Sequence, residues 1–145
     1  MKKLRISLLL TTGIGIALTI SSCACRRLSD QPQRVSLIEL IANPHEYAGK
    51  RVIVKGFYHH EFESYALYLS SDDARHLLRE NAIWVGSSSD LKANEKLKAL
   101  NDCYVTLRGI LSQQVGSVGH LGNYKVKIEM IDSVSLLPTR SEEHT

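Results

Sequence analysis

Arg51-Val52-Ile53-Val54-Lys55-Gly56-Phe57-Tyr58-His59 is the stretch whose reading decides the fold. Val52, Val54 and Tyr58 alternate with Arg51, Lys55 and His59, the period of a strand with one buried and one solvated face. Gly56 in its middle predicts a bulge or sharp coil, as closing a small barrel demands. Just upstream, Ser36-Leu37-Ile38-Glu39 is a capping-box pattern, in which a serine hydroxyl and a glutamate carboxylate satisfy orphan backbone donors at a helix start. It predicts a short helix to about Ala42. Asn43 then caps a second turn with Pro44 at its first position, where a missing N–H costs nothing, and Gly49 supplies the exit.

Downstream, Tyr65 to Ser70 reads as a second strand, with Leu67 and Leu69 on one face and Tyr68 on the other. Ser71 is expected to cap a short helix over 72–79 that has Asp72 and Asp73 in its first turn and turns Leu77 and Leu78 to the core. Ile83 and Val85 make a third strand with Trp84 opposite. Asp90 to Leu100 reads as a helix because Ala93, Leu97 and Leu100 fall at i, i+4 and i+7. Cys103 to Ser112 is the fourth strand, bent at Gly109, with Cys103, Val105 and Leu107 inward. Tyr124 to Val134 is the fifth, with Tyr124, Val126, Ile128 and Met130 on one side. The expectation is a mainly β chain with short helices. Five strands with a helix between the third and fourth is the order of an OB-like, partly open five-stranded barrel. The N-terminal helix and the helix between strands two and three would be additions to it.

Several segments resemble small uncharacterised exported bacterial proteins with OB-like folds. They are Asn43-Pro44-His45-Glu46-Tyr47-Ala48-Gly49-Lys50-Arg51-Val52, Glu61-Phe62-Glu63, Leu67-Tyr68-Leu69-Ser70, Asn81-Ala82-Ile83-Trp84 and Gly119-His120-Leu121-Gly122. The resemblance spans roughly residues 36 to 134 and implies the fold without an activity. The first 23 residues resemble a bacterial lipoprotein signal: basic Lys2, Lys3 and Arg5, an apolar stretch from Ile6 to Ile20, then Ile20-Ser21-Ser22-Cys23. That stretch is shorter than the roughly 20 apolar residues of a spanning helix and is broken by Ser7, Thr11, Thr12, Gly13, Gly15 and Thr19. The resemblance implies lipid on Cys23 and a protein tethered to the envelope, facing the periplasm. Ala24, where an inner-membrane protein would carry Asp, implies the outer membrane.

Four regions follow: a signal peptide over 1–22, a lipidated tether over 23–34, an OB-like domain over 35–137 and a tail over 138–145. The chain has 18 basic and 15 acidic residues, and three of the basic ones leave with the signal while no acid does. A neutral mature chain gives no electrostatic reason to expect nucleic acid as a partner. Cys25 and Cys103 remain as thiols; an oxidising compartment permits a bridge, but the alternation of Cys103 with Val105 and Leu107 favours a buried small hydrophobe there.

In an OB-like barrel, ligands meet strands two and three and the loops joining strands one to two and four to five. Those positions hold His59, His60, Glu61 and Glu63 in the first loop, His120 in the second, and Tyr68 and Trp84 on the strands. His59, Glu61 and Glu63 stand at i, i+2 and i+4, one face of an extended chain, and imidazole with carboxylate suits a divalent metal. No HExxH or paired CxxC supports that site, and a charged hairpin tip is equally a solvated one. Phe57, Tyr68, Trp84 and Tyr104 with Lys55 and Arg108 form an outward face that either stacks a ligand or packs beneath the added helices. Asp72 and Asp73 diverge, and Ser87-Ser88-Ser89 lacks the glycine setting of a nucleophile elbow. The expected function is a lipid-anchored binding or accessory protein acting through envelope protein or glycan contacts. The alternative is a metal-dependent hydrolase using His59, Glu61 or Glu63, and His120.

Overall fold

The computed structural model describes residues 31–62, 64–87, 90–119 and 123–138. Cys23 and Cys25, with the signal and most of the tether, lie outside the described residues, as do Glu63 and His120. The elements, in chain order, are β1 (Gln33–Arg34), α1 (Leu37–Ala42), α2 (Pro44–Tyr47), β2 (Arg51–Glu61), β3 (Ser64–Tyr68), α3 (Ser71–Arg75), a 3-10 turn (Arg79–Asn81), β4 (Ala82–Val85), α4 (Leu91–Ala99), β5 (Cys103–Leu111) and β6 (Lys127–Leu136). The chain is mainly β, a six-stranded mixed sheet with a few short helices. Strand order is β1-β2-β3-β4-β6-β5, and β5 also pairs with β2, so that the pairings return on themselves.

β2 organises this arrangement. One of its edges runs antiparallel to β5 from Arg51↔Ile110 to Tyr58↔Cys103. The other is shared: β1 pairs parallel with Val52 and Ile53, and β3 pairs antiparallel from Phe57 to Glu61. Between them lies Gly56, where an added Cβ would stand 2.7 Å from the Tyr68 carbonyl oxygen and 2.8 Å from Leu67 Cγ. Glycine is required there because β3 crosses β2 at backbone contact. The expected alternation holds, with Val52, Val54 and Tyr58 at most 1% exposed.

Two apolar clusters result. The larger lies inside the ring and joins Val52, Val54, Leu67, Ile83, Leu107 and Ile128 to Leu37 and Leu40 of α1 and Leu97 of α4. Burying a side chain of this size is worth about 1.5–3 kcal/mol, so helices as short as α1 hold by docking on the sheet and not by their own propensity. The smaller cluster lies on the opposite face of β3 and β4, where Ala66, Tyr68 and Ala82 meet Ala74 of α3 and Val118 and Tyr124 of the β5–β6 connection.

Several local expectations are corrected. Gln33 and Arg34, expected in the tether, form β1. Ser36 Oγ does accept from Glu39 N at 3.1 Å, but Asn43 Nδ2 donates to the Glu39 carboxylate at 2.8 Å. Asn43 therefore makes no side-chain cap for α2. Ser70, not Ser71, caps α3, which ends at Arg75. Leu77 takes φ +52 and both it and Leu78 are 37% exposed, so Ala74 makes the core contact. β6 begins at Lys127, and a bulge opposite Gly109 breaks its alternation: Met130 takes φ +49 and is 58% exposed, while Ile128, Ile131 and Val134 are buried. Gly56→Ala is expected to cost roughly 1–3 kcal/mol, because the contacting oxygen belongs to the backbone and cannot rotate away. Thermal unfolding of the variant beside the parent chain checks it.

Candidate functional site

β2 and β3 join through a tight hairpin in which Glu61 pairs with Ser64, leaving Phe62 at its tip, 91% exposed. Successive residues at the end of β2 point to opposite faces, so His59 and His60 enter different surroundings. Both meet the turn after α4. Asp102 takes φ +58, a left-handed conformation that short polar side chains tolerate, and its N–H donates to the Tyr58 carbonyl at 3.0 Å. This bend brings its carboxylate 2.5 Å from His59 Nδ1, while Glu61 lies 3.0 Å from His59 Nε2.

Both partners of His59 are acceptors, an arrangement that suits the doubly protonated ring. Partial burial pulls its pKa down, but the hydrogen bonds and charges of Glu61 and Asp102 outweigh that, and the net direction is upward. Each imidazole nitrogen thus has a carboxylate oxygen as its neighbour. Among the described residues no group of three His, Cys, Asp or Glu side chains is arranged to hold a metal. His59 and Glu61 of the expected metal set do come together; Glu63 and His120 lie outside the described residues.

His60 begins an aromatic row. Its backbone N–H donates to Asn101 Oδ1 at 2.7 Å, and its ring stacks on Tyr65 at 4.3 Å between centroids and 11° between planes. Tyr65 meets Trp84 edge-on at 6.1 Å, and Trp84 meets Tyr124 at 5.3 Å. The β5–β6 connection lies on the far side of the indole. Gly119 takes φ +80, and a Cβ there would stand 2.6 Å from Trp84 ring atoms, so glycine serves both the turn and the contact. Tyr68 was expected on a ligand-facing surface. It is 1% exposed and its hydroxyl lies 3.3 Å from that of Tyr124, because α3 and this connection cover its face. Ser64 Oγ completes the buried hydroxyl group at 3.1 Å from the Tyr124 hydroxyl. The outward face is thus divided: Tyr68 and Trp84 pack beneath cover, whereas Phe57 and Tyr104 meet edge-to-face at 5.2 Å on the other part, with Tyr104 42% exposed.

Beside Tyr65 and Trp84 opens a cleft of about 430 Å³, floored by Tyr58 and bounded by Ser87, Asn94, Lys98 and Lys127. Lys127 Nζ is held 3.0 Å from Glu129. Tyr58 is deeply buried, which pushes its hydroxyl well above the usual tyrosine range and keeps it neutral. Aromatic edges with an amide, a hydroxyl and two ammonium groups suit a polar or anionic ligand that also offers a flat apolar surface. The lining residues of α4 and β6 were missed because nothing in their spacing marks them; they meet only through the ring. Asn101 and Asp102 did carry a signal. A pair tolerant of left-handed geometry stands just before a strand, but its partners lie some 40 residues away.

In comparisons with known proteins, no family model matches the chain and no curated protein matches it. Among solved structures it is similar to an OBody bound to hen egg-white lysozyme, at 17% identity over 64% of this chain and 86% of that one, with a TM-score of 0.43. It is also similar to a protein described as an aspartyl-tRNA synthetase from Leishmania major Friedlin, at 7% identity over 85% of this chain and 22% of that one, with a TM-score of 0.42.

Because the pKa of His59 is raised on folding, its contribution to stability is complete below about pH 6.5, the unfolded value, and is lost as pH rises through the higher folded value. Denaturant melts between pH 5 and pH 9 are expected to lose part of that stability as pH rises. His59→Gln should flatten that portion of the curve; an unchanged profile would remove the imidazolium from the account.

Proposed function

We propose that this chain is a lipid-anchored binding or accessory protein of the bacterial envelope, taking a protein or glycan ligand in the cleft between β3, β4 and α4. The single observation that carries this reading is the cleft itself, where Tyr65, Trp84, Asn94, Lys98 and Lys127 converge from four elements. Sugar rings present flat C–H faces to aromatic groups and hydroxyls to amides and ammonium groups, and a protein side chain can present the same combination.

The finer architecture belongs to the same proposal. β2 to β6, with α4 between β4 and β5, follow the order of an OB-like, partly open barrel, to which β1, α1 and α3 are additions. The aromatic row from His60 to Trp84 then lies along the strands that bind ligands in such barrels. The anchored location rests on the Ile20-Ser21-Ser22-Cys23 pattern. Among the described residues no helix is long and apolar enough to cross a membrane.

A photocrosslinking amino acid at position 98 of the full chain, activated in living cells, tests the cleft. The expected result is a discrete envelope protein or glycan adduct that weakens several-fold when Tyr65→Ala is added and is absent when the probe stands at position 45 on α2. The same adducts from both positions would contradict the cleft as the binding site.

A further inference from the structure

We infer that the outward face of β1, β2 and β5 lies against the membrane and takes anionic phospholipid headgroups on Arg34, Lys55 and Arg108. This rests on the lipid-anchored reading and adds to it the side of the domain that meets the bilayer. Residues paired across a sheet share a face, so the register fixes which side chains belong to this surface. Arg34 pairs with Ile53, which pairs with Arg108, which pairs with Ser133. One residue row along, Lys55 pairs with Thr106 and Thr106 with Ser135.

This surface concentrates positive charge in a mature chain that has no net charge. Arg34 and Lys55 are exposed, and Arg108 holds Asp132 at 2.5 Å from its Nε, with Arg51 on the other carboxylate oxygen. One carboxylate therefore serves two guanidinium groups, Glu129 beside Ile110 is held by Lys127, and Glu61 and Asp102 stand at the far end of the face around His59, so the end that carries Arg34, Lys55 and Arg108 stays positive. Thr106, Ser133 and Ser135 add hydroxyls between the charges. Phosphate oxygens are matched by guanidinium, ammonium and hydroxyl donors.

Apolar surface adjoins the charges. A groove of about 420 Å³ runs between the start of α1 and the edge of β2, lined by Val35, Ile38, Ile53 and Leu69 with Arg34 and Lys55 among its walls. Ile38 is 64% exposed. A basic rim over an apolar groove fits the boundary between headgroups and acyl chains.

The attachment point fits the same side. Arg34 belongs to the face, and the chain from Cys23 to Arg34 reaches at most about 40 Å even when extended. It carries Arg26 and Arg27. A lipid on Cys23 would keep the whole domain within reach of the bilayer, and the tether joins it at this face.

The test uses the full lipidated chain reconstituted in phosphatidylethanolamine vesicles containing phosphatidylglycerol, with a photocrosslinking amino acid at position 106 or at position 87. Position 87 follows β4, across the ring from β2 and β5. Expected are phospholipid adducts from 106 and few from 87, falling several-fold in Arg34→Glu/Lys55→Glu while the chain still sediments with the vesicles. Thermal unfolding establishes that the double variant remains folded, and Arg34→Gln/Lys55→Gln should give an intermediate loss. Equal adduct yields from the two positions, or yields unaffected by either double variant, would overturn the membrane-facing assignment and leave the anchor standing. Failure of the parent chain to sediment with vesicles would overturn the anchor, and this inference with it.

Discussion

A single strand paired along both edges holds this molecule together. β2 gives one edge to β5 over eight residues and divides the other between β1 and β3, so its backbone donors and acceptors are spent on three neighbours. A strand this long can serve three partners only if it coils, and coiling brings another backbone close to it. Gly56 stands at that crossing, with the Tyr68 carbonyl where a side chain would begin. The interior cluster follows, since Val52, Val54 and Tyr58 then face inward beside Leu107, Ile83 and Ile128. A backbone contact and an alternating run of apolar residues thus jointly define the ring.

The site is built on the far end of the same strand. Where β2 leaves β5, the Asn101-Asp102 turn takes over as its neighbour: Asn101 bonds the His60 backbone and Asp102 the His59 ring. Successive histidines are thereby committed to different tasks. His59 is held between two carboxylates that raise its pKa, while His60 stacks on Tyr65 and begins the aromatic row beside the cleft. Cleft and ring share Trp84, which carries the β5–β6 connection on one side and borders the cleft on the other.

How much of this is legible in the sequence depends on the range of the forces involved. The alternation of β2, the Ser36 cap, the helix α4 and the inward set Val105 and Leu107 depend on neighbours within a few residues, and periodicity and the capping pattern find them. The parallel pairing of Gln33–Arg34 with β2 is invisible, since two polar residues carry no period and their order comes from the edge of β2 before Phe57 that β3 does not use. Met130 reads as inward by count, but the bulge against Gly109 shifts the face. Tyr68 reads as a surface aromatic until α3 and the β5–β6 connection cover it. Of the candidate site, the histidines and Glu61 are marked by their chemistry and Asp102 as a turn residue, whereas Tyr65, Lys98 and Lys127, and the pairing of Asp102 with His59, acquire meaning only when the ring brings them together.

The account depends most on β2 closing the ring through its pairing with β5. Native-state hydrogen exchange of the amides in 51–58 and 103–110 measures this directly, because doubly supported strands should open only with the whole domain. The predicted result is that these amides are the slowest in the chain and share one opening free energy equal to that of global unfolding. Exchange of the β2–β5 amides by a separate opening at lower free energy than β3 and β4 would contradict it.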